Sequence, residues 1–259
     1  MDVHTSIGVE RMDETKREED VRIGSRSFRA DLEARLRRGQ HRIVYGPRGS
    51  GKSTLLRDIE VALRAAHVPC GRAPETRCLG DITAAFERAY PEVDARSVTR
   101  RRARARLRMA ADRHSGVLLL DHVTQAGTAM VGCLRRLRGG LVGVLLAVDV
   151  DSDRERDRMR GWHLALSERM PTASAGQLRR LFRLRCAQGC VAPIPPHFER
   201  HIIRAARGRP GWIELCAKLA KQPDYWWCDV PLVNLLCIDC EIALRGAIPS
   251  IERDSQRFA

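Results

Sequence analysis

Lysine is almost missing from this chain: of 46 basic residues only four are lysine, and the rest are arginine. Aromatic residues are sparse as well, at 5% of 259 positions. No apolar stretch reaches the roughly 18 residues that a membrane span needs. The best, Leu141 to Val150, is the length of a strand. The opening residues, Met1-Asp2-Val3-His4-Thr5, show no basic flank running into an apolar segment, so no signal peptide is read and a cytoplasmic location is expected. There is no internal repeat, and no low-complexity tract beyond one arginine run. A hydrophobic content of 44% is enough for a packed core, which excludes wholesale disorder.

Cysteine, by contrast, is plentiful, and its odd count of nine without an export signal points to reduced thiols. Cys186, Cys190, His197 and His201 follow a C-x₃-C-x₆-H-x₃-H spacing that loosely resembles a zinc site, although three prolines crowd the gap. Cys237 and Cys240 form a C-x₂-C within an apolar stretch that reads as a buried helix face. Small core residues and metal ligands both remain open.

Net charge is +14. Residues 1–20 hold seven acids and three bases, leaving 43 bases against 25 acids in residues 21–259. Such a balance favours polyanions or acidic partners. The arginine bias is also what a GC-rich coding sequence would produce, so charge alone does not decide between them. Eight arginines lie in residues 96–113. On a helical projection they flank a narrow strip of Val98, Ala105 and Met109. A contact with a phosphate backbone and a solvated helix whose arginines pair with acids are both compatible with that pattern.

Against the lysine shortage, one of the four sits at position 52, inside Gly46-Pro47-Arg48-Gly49-Ser50-Gly51-Lys52-Ser53-Thr54. This is a complete G-x-x-x-x-G-K-[ST] loop. The preceding Ile43-Val44-Tyr45 reads as a strand end, and Leu55 to Leu63 has helical apolar spacing. Strand, glycine loop and helix is the context in which this motif cradles phosphates. Glycines let successive amides converge on phosphate oxygens, and the helix start adds its positive dipole end. Lys52 is expected to reach the β- and γ-phosphates of a nucleoside triphosphate, and the Ser53 hydroxyl to hold Mg²⁺.

Val117-Leu118-Leu119-Leu120-Asp121 reads as a buried strand ending in an acid. An unpaired carboxylate is costly within such a strand. Asp121 is therefore expected at the open sheet edge, holding Mg²⁺ through water, with His122 next to it. Leu141 to Val148 reads as another strand, ending at Asp149, whose carboxylate is placed to meet the γ-phosphate or an attacking water. The pattern also predicts helices over residues 27–38, from Asp81 to Pro91, around Met130 to Leu137, over the charged residues 153–170, and over 197–206, 213–219 and 232–245. Strands are predicted at 68–72 and, as the last core strand, at Leu181 to Leu184.

Gly46 to Thr54, Leu118 to Asp121, the strand ending at Asp149 and a helical C-terminal region carrying Gly208-Arg209-Pro210 together resemble an AAA+ ATPase over roughly residues 26–222. The nearest branches are the ORC-like, STAND-like and transposition-regulating members. The resemblance implies an α/β fold with a five-strand parallel sheet in the order 5-1-4-3-2, flanked by helices and followed by a helical lid. The domains implied are a flexible extension at 1–25, a P-loop core at 26–190, and a lid with C-terminal helices at 191–259.

It further implies ATP and Mg²⁺ as cofactors and a homo-oligomeric ring or filament. Arg209, or Arg207 nearby, would match the lid arginine that touches the γ-phosphate. Arg169, with Arg158 and Arg160 behind it, would be the finger completing a neighbour's site. Ile23-Gly24 or Ile7-Gly8 would lie against adenine. Hydrolytic members usually carry glutamate at the position of His122, so hydrolysis is expected to be slow. The leading expectation is an ATP-dependent assembly switch on DNA through residues 96–113, with the N-terminal extension as a possible protein-binding element. The alternative is a nucleotide-locked protein scaffold without DNA contact. A small-molecule kinase would need an acceptor pocket and a base, and neither is assignable.

Overall fold

Short apolar runs that close on glycine or an acid build the centre of the molecule. The computed structural model describes residues 26–91, 105, 109, 112–123, 128–137, 141–150, 165–189 and 194–245. The extension at 1–25, Arg158 and Arg160 lie outside the described residues, as do seven of the eight arginines of the basic segment. The eighth, Arg113, is exposed.

The first unit spans Gly24–Pro171. It contains α1 (Arg26–Arg37), β1 (His41–Gly46), α2 (Lys52–Ala65), β2 (Cys70–Ala73), α3 (Leu79–Ala89), β3 (Gly116–Leu120), α4 (Thr128–Leu137), β4 (Val142–Asp149) and β5 (Leu166–Arg169). The five strands are parallel in the order β2-β3-β4-β1-β5, which is the order expected. β1 pairs with β4 so that Gly46 lies opposite Asp149, while β3 pairs with β4 so that Leu120 lies opposite Leu146. The ends of β1, β3 and β4 therefore come out on one edge of the sheet.

Side chains alternate between the two faces of a strand. Ile43, Tyr45, Leu118, Leu120, Val144 and Leu146 pack with Ile82 and Phe86 of α3 and Leu134 of α4. On the other face Val44, Val117, Leu119, Leu145 and Ala147 meet Leu32 and Leu36 of α1 and Leu56 and Ile59 of α2. Covering both faces is why β3 and β4 are almost continuously apolar.

The second unit, from Thr172 onward, holds α5 (Ala175–Gln188), α6 (Pro196–Ala206), α7 (Pro210–Leu219), a small hairpin of β6 (Trp226–Trp227) with β7 (Val230–Pro231), and α8 (Val233–Leu244). Its core surrounds the fully buried Trp212, with Phe182, Ile202, Ile213, Leu219 and Leu236.

Two expectations are corrected. Leu181 to Leu184 is not a strand but part of α5. Ser174 starts that helix by accepting from Gln177 N at 3.2 Å, while the Gln177 side chain accepts from Ser174 N at 2.9 Å. Leu178, Leu181 and Phe182 then bury one face at helical spacing. The last core strand is instead β5, inside the stretch read as the charged helix 153–170. β5 is an edge strand whose Leu166 is 66% exposed, so it joins β1 through backbone bonds without an apolar signature. The two compact units divide at Pro171–Thr172.

Gly143 in β4 lies against the C-terminal end of α1. A Cβ there would meet the Leu36 carbonyl oxygen at 2.2 Å, and backbone cannot swing away as a side-chain tip can. Gly143→Ala is expected to cost about 3 kcal/mol. Urea unfolding at equilibrium checks this: the midpoint should fall with the slope unchanged.

Candidate phosphate-binding site

Tyr45 and Gly46 end β1 at the sheet edge, and the chain must then reverse into α2 within a few residues. Gly49 (φ 79°) and Gly51 (φ 96°) take left-handed angles that make this turn possible. Ser50 N donates to Pro47 O at 3.2 Å and Leu55 N to Gly51 O at 2.9 Å, which closes the loop onto the helix. No side chain caps the start of α2 at Gly51, and its first turn carries no acid. Those first amides are the donors that an anion at a helix start would take. Gly46 is also tight, since a Cβ there would come within 3.2 Å of Ser50 Oγ and 3.3 Å of Met170 Cβ. Arg48 and Thr54 are exposed on the loop and the first helical turn.

Lys52 is 5% exposed and its ammonium is the hub of the site. It donates to Gly46 O at 2.7 Å, to Pro47 O at 2.9 Å and to Ser50 Oγ at 3.2 Å. It also pairs with Asp149 Oδ1 at 2.7 Å. The other Asp149 oxygen lies 3.2 Å from His122 Nδ1 and 3.5 Å from Arg48 Nε. Burial alone would push the Asp149 carboxyl up. The Lys52 charge and hydrogen bond, with His122 adding to them, hold it below the ordinary value instead.

Asp121 follows β3 and is 1% exposed. Its backbone is fixed on both sides: Asp121 N donates to Ala73 O at 3.0 Å, and Asp121 O accepts from Thr76 N at 3.0 Å. His122 has a left-handed φ of 49° and donates its backbone N–H to Asp121 Oδ1 at 3.0 Å. The imidazole then bridges two elements, with Nε2 3.4 Å from Ser53 Oγ and Nδ1 on Asp149. The structure thus brings Lys52, Ser53, His122 and Asp149 into one connected group at the C-terminal edge of the sheet, with Asp121 joined through the His122 backbone.

One participant was not anticipated. Arg72, on β2, reaches Asp121 Oδ2 at 3.3 Å and Glu60 of α2 at 3.7 Å. No motif marks it; the only signal in the sequence is an arginine near the end of a short strand that lies beside β3. The oxygen donors suit a hard divalent ion, which prefers carboxylate and hydroxyl groups. Ser53 Oγ and the Asp121 carboxylate are of that kind, although both Asp121 oxygens already accept from the protein.

Arg169 stands exposed at the end of β5, opposite Tyr45. Arg209 belongs to the second unit, where it pairs with Glu241 and donates to Ala206 O at 3.0 Å and Ala205 O at 3.3 Å. Arg207, beside it, is exposed with φ 49°. Of the cysteine–histidine set, Cys190 lies outside the described residues. His197 packs its ring 4.0 Å from that of Phe198. Among the described residues no group of three or more His, Cys, Asp or Glu is arranged to hold a metal ion. Cys240 is fully buried in the second core, beside Cys216.

No protein-family model matches the chain, and no curated protein matches it. Solved structures do. The chain is similar to domain III of the replication initiation protein DnaA from Thermotoga maritima, at 14% identity over 82% of this chain and 88% of that one, with a TM-score of 0.50. It is also similar to the FIGL-1 AAA domain solved with ADP, at 13% identity over 92% and 86%, TM-score 0.48. A third is the Thermotoga maritima Holliday junction branch migration motor RuvB, at 17% over 85% and 70%, TM-score 0.46. At these identities the likeness concerns the fold alone, a five-strand parallel sheet flanked by helices like that of the DnaA domain.

Because the folded value of Asp149 is depressed, its contribution to stability is complete above the unfolded value of about 3.9 and is lost as pH falls through the lowered folded value. Wild type should therefore exceed Asp149→Asn in stability near neutrality and lose that margin below about pH 4. Urea unfolding of both proteins across the acid range measures it; parallel curves would remove Asp149 from this role.

Proposed function

We propose that this chain binds ATP at the Gly46–Thr54 loop and acts as a nucleotide-dependent assembly switch on nucleic acid. The observation that carries the reading is the Lys52 ammonium. It is buried at the sheet edge among the Gly46 and Pro47 carbonyls and Asp149, beneath a helix start with no side-chain cap. A triphosphate tail entering this cradle meets the uncapped helix start and the Lys52 cation, which stays on Asp149 and exchanges its Gly46 and Pro47 carbonyl contacts for phosphate oxygens. Mg²⁺, carried with the nucleotide, supplies charge neutralisation between the phosphates; the Ser53 hydroxyl and, through water, Asp121 are the groups to hold it.

Hydrolysis is read as slow. A base for the attacking water needs a free lone pair within reach of that water. Both nitrogens of His122 face protein groups instead, Ser53 on one side and Asp149 on the other. Asp149 itself is engaged by Lys52. The site is better equipped to hold a triphosphate than to turn it over, which suits a switch whose ATP state persists. Arg169, exposed on the edge strand, is the residue proposed to complete a neighbouring subunit's site in a homo-oligomer.

Nucleic acid is the preferred partner because of the net charge of +14 and the arginines of residues 96–113. The DnaA similarity, to a domain of a replication initiation protein, is in keeping with that choice. One observation favours the second reading, a nucleotide-locked protein scaffold: α8 exposes Leu235, Ile238 (56%) and Ile242 at helical spacing, with Trp227 also exposed in the same unit.

Lys52→Ala should weaken binding of a fluorescent ATP analogue by at least ~100-fold, since it removes the phosphate's principal charged donor. Unchanged affinity would move the nucleotide site elsewhere. On random-sequence duplex DNA, about six phosphate contacts predict a loss of roughly a thousandfold in affinity between about 50 and 200 mM salt. Absence of binding at the lower concentration leaves the scaffold reading.

A further inference from the structure

Arg72 occupies the place from which a divalent ion would draw its attraction to Asp121. Its strand is paired with β3 so that Arg72 lies opposite Leu119 and Ala73 opposite Leu120, which brings it to the same sheet edge as Asp121. The side chain is 16% exposed, wedged between Asp121 Oδ2 at 3.3 Å and Glu60 Oε2 at 3.7 Å. The main chain is fastened too: the Arg72 carbonyl accepts from Arg88, and Ala73 O accepts from Asp121 N at 3.0 Å. Among the described residues, Arg72 Nε is buried without a partner, as is the hydroxyl of Thr76, whose amide donates to the Asp121 carbonyl. The guanidinium is therefore a built element of the site and not a surface side chain that has fallen onto an acid.

Arginine keeps its charge at every accessible pH. Asp121, almost fully enclosed, has one oxygen on that permanent cation and the other on the His122 amide. Its charge is therefore compensated before any ligand arrives. Asp149 is compensated in the same way by Lys52. Two carboxylates at a phosphate site would ordinarily repel a metal-free triphosphate, and a divalent ion would relieve the repulsion. Here protein cations have done so in advance, so Mg²⁺ has little left to add.

We propose that Arg72 is a built-in counter-cation for Asp121 that makes triphosphate binding nearly independent of Mg²⁺. This rests on the nucleotide reading above. It concerns a positioning residue that acts through Asp121.

The test is the affinity of a fluorescent ATP analogue, measured with EDTA and with Mg²⁺, for wild type, Arg72→Met and Arg72→Lys. Wild type should differ by less than about threefold between the two buffers, Arg72→Met by more than about tenfold, and Arg72→Lys should return to the wild-type ratio. Wild-type binding only in the presence of Mg²⁺ overturns the inference and leaves the nucleotide site standing. A Met variant with the wild-type ratio overturns it as well. No binding in either buffer removes the nucleotide reading itself, and the inference with it. If the Met variant fails to fold, Arg72→Gln takes its place, keeping hydrogen-bond donors without the charge: a ratio above about tenfold supports the inference and the wild-type ratio overturns it.

Discussion

The contact between the Lys52 ammonium and the Asp149 carboxylate, 2.7 Å long and nearly sealed from water, is the constraint on which the rest of the site depends. It ties the start of α2 to the end of β4. Because Gly46 sits opposite Asp149 in the parallel ladder, it also sets where the loop leaves β1. Removing water from such a pair is costly, and the attraction offsets that cost only when the remaining donors are satisfied. Two carbonyls and a hydroxyl share the two remaining N–H donors of Lys52. A loop of glycines, otherwise conformationally loose, is held in one shape by this arrangement.

The same economy recurs through the chain. Its acids are outnumbered, and several are held by arginine: Asp121 by Arg72, Glu199 by Arg183, Glu214 by Arg185 and Glu241 by Arg209. Arg209 lowers the Glu241 carboxyl through a hydrogen bond to it. A planar fork that cannot lose its proton suits this work better than lysine does. The exposed pairs add little stability each, whereas those near Asp121 and Asp149 shape the chemistry of the sheet edge. A large positive total is thus partly spent inside the protein, and the basic excess cannot be equated with the strength of a polyanion-binding surface.

His122 shows how one substitution changes the character of such an edge. A glutamate would add a third acid beside Asp121 and Asp149. The imidazole adds none, and joins Ser53 to Asp149 instead. Held with a left-handed backbone by its bond to Asp121, it behaves as a brace. The proposed holding of a triphosphate with slow turnover rests on this geometry.

Local signals were enough for much of the fold. The β1–loop–α2 unit, β3, β4 and the helices around Phe86, Ile202 and Ile213 were legible because each carries its own periodicity or glycine pattern. β5 was not, since an exposed edge strand is held by backbone bonds that leave no trace in residue type, and Leu181 to Leu184 of α5 reads as a strand because so short an apolar run does not reveal its period. The chain's residues by themselves determined that a glycine loop carrying Lys52 joins a strand to a helix, and that Asp121 and Asp149 end buried strands. Only the tertiary structure decided that Asp149 closes on Lys52, that His122 links Ser53 to it, and that Arg72 neutralises Asp121. Those pairings join strands that are neighbours in the sheet and distant along the chain, and side-chain reach across a sheet edge is fixed by strand order and register, which no local pattern encodes.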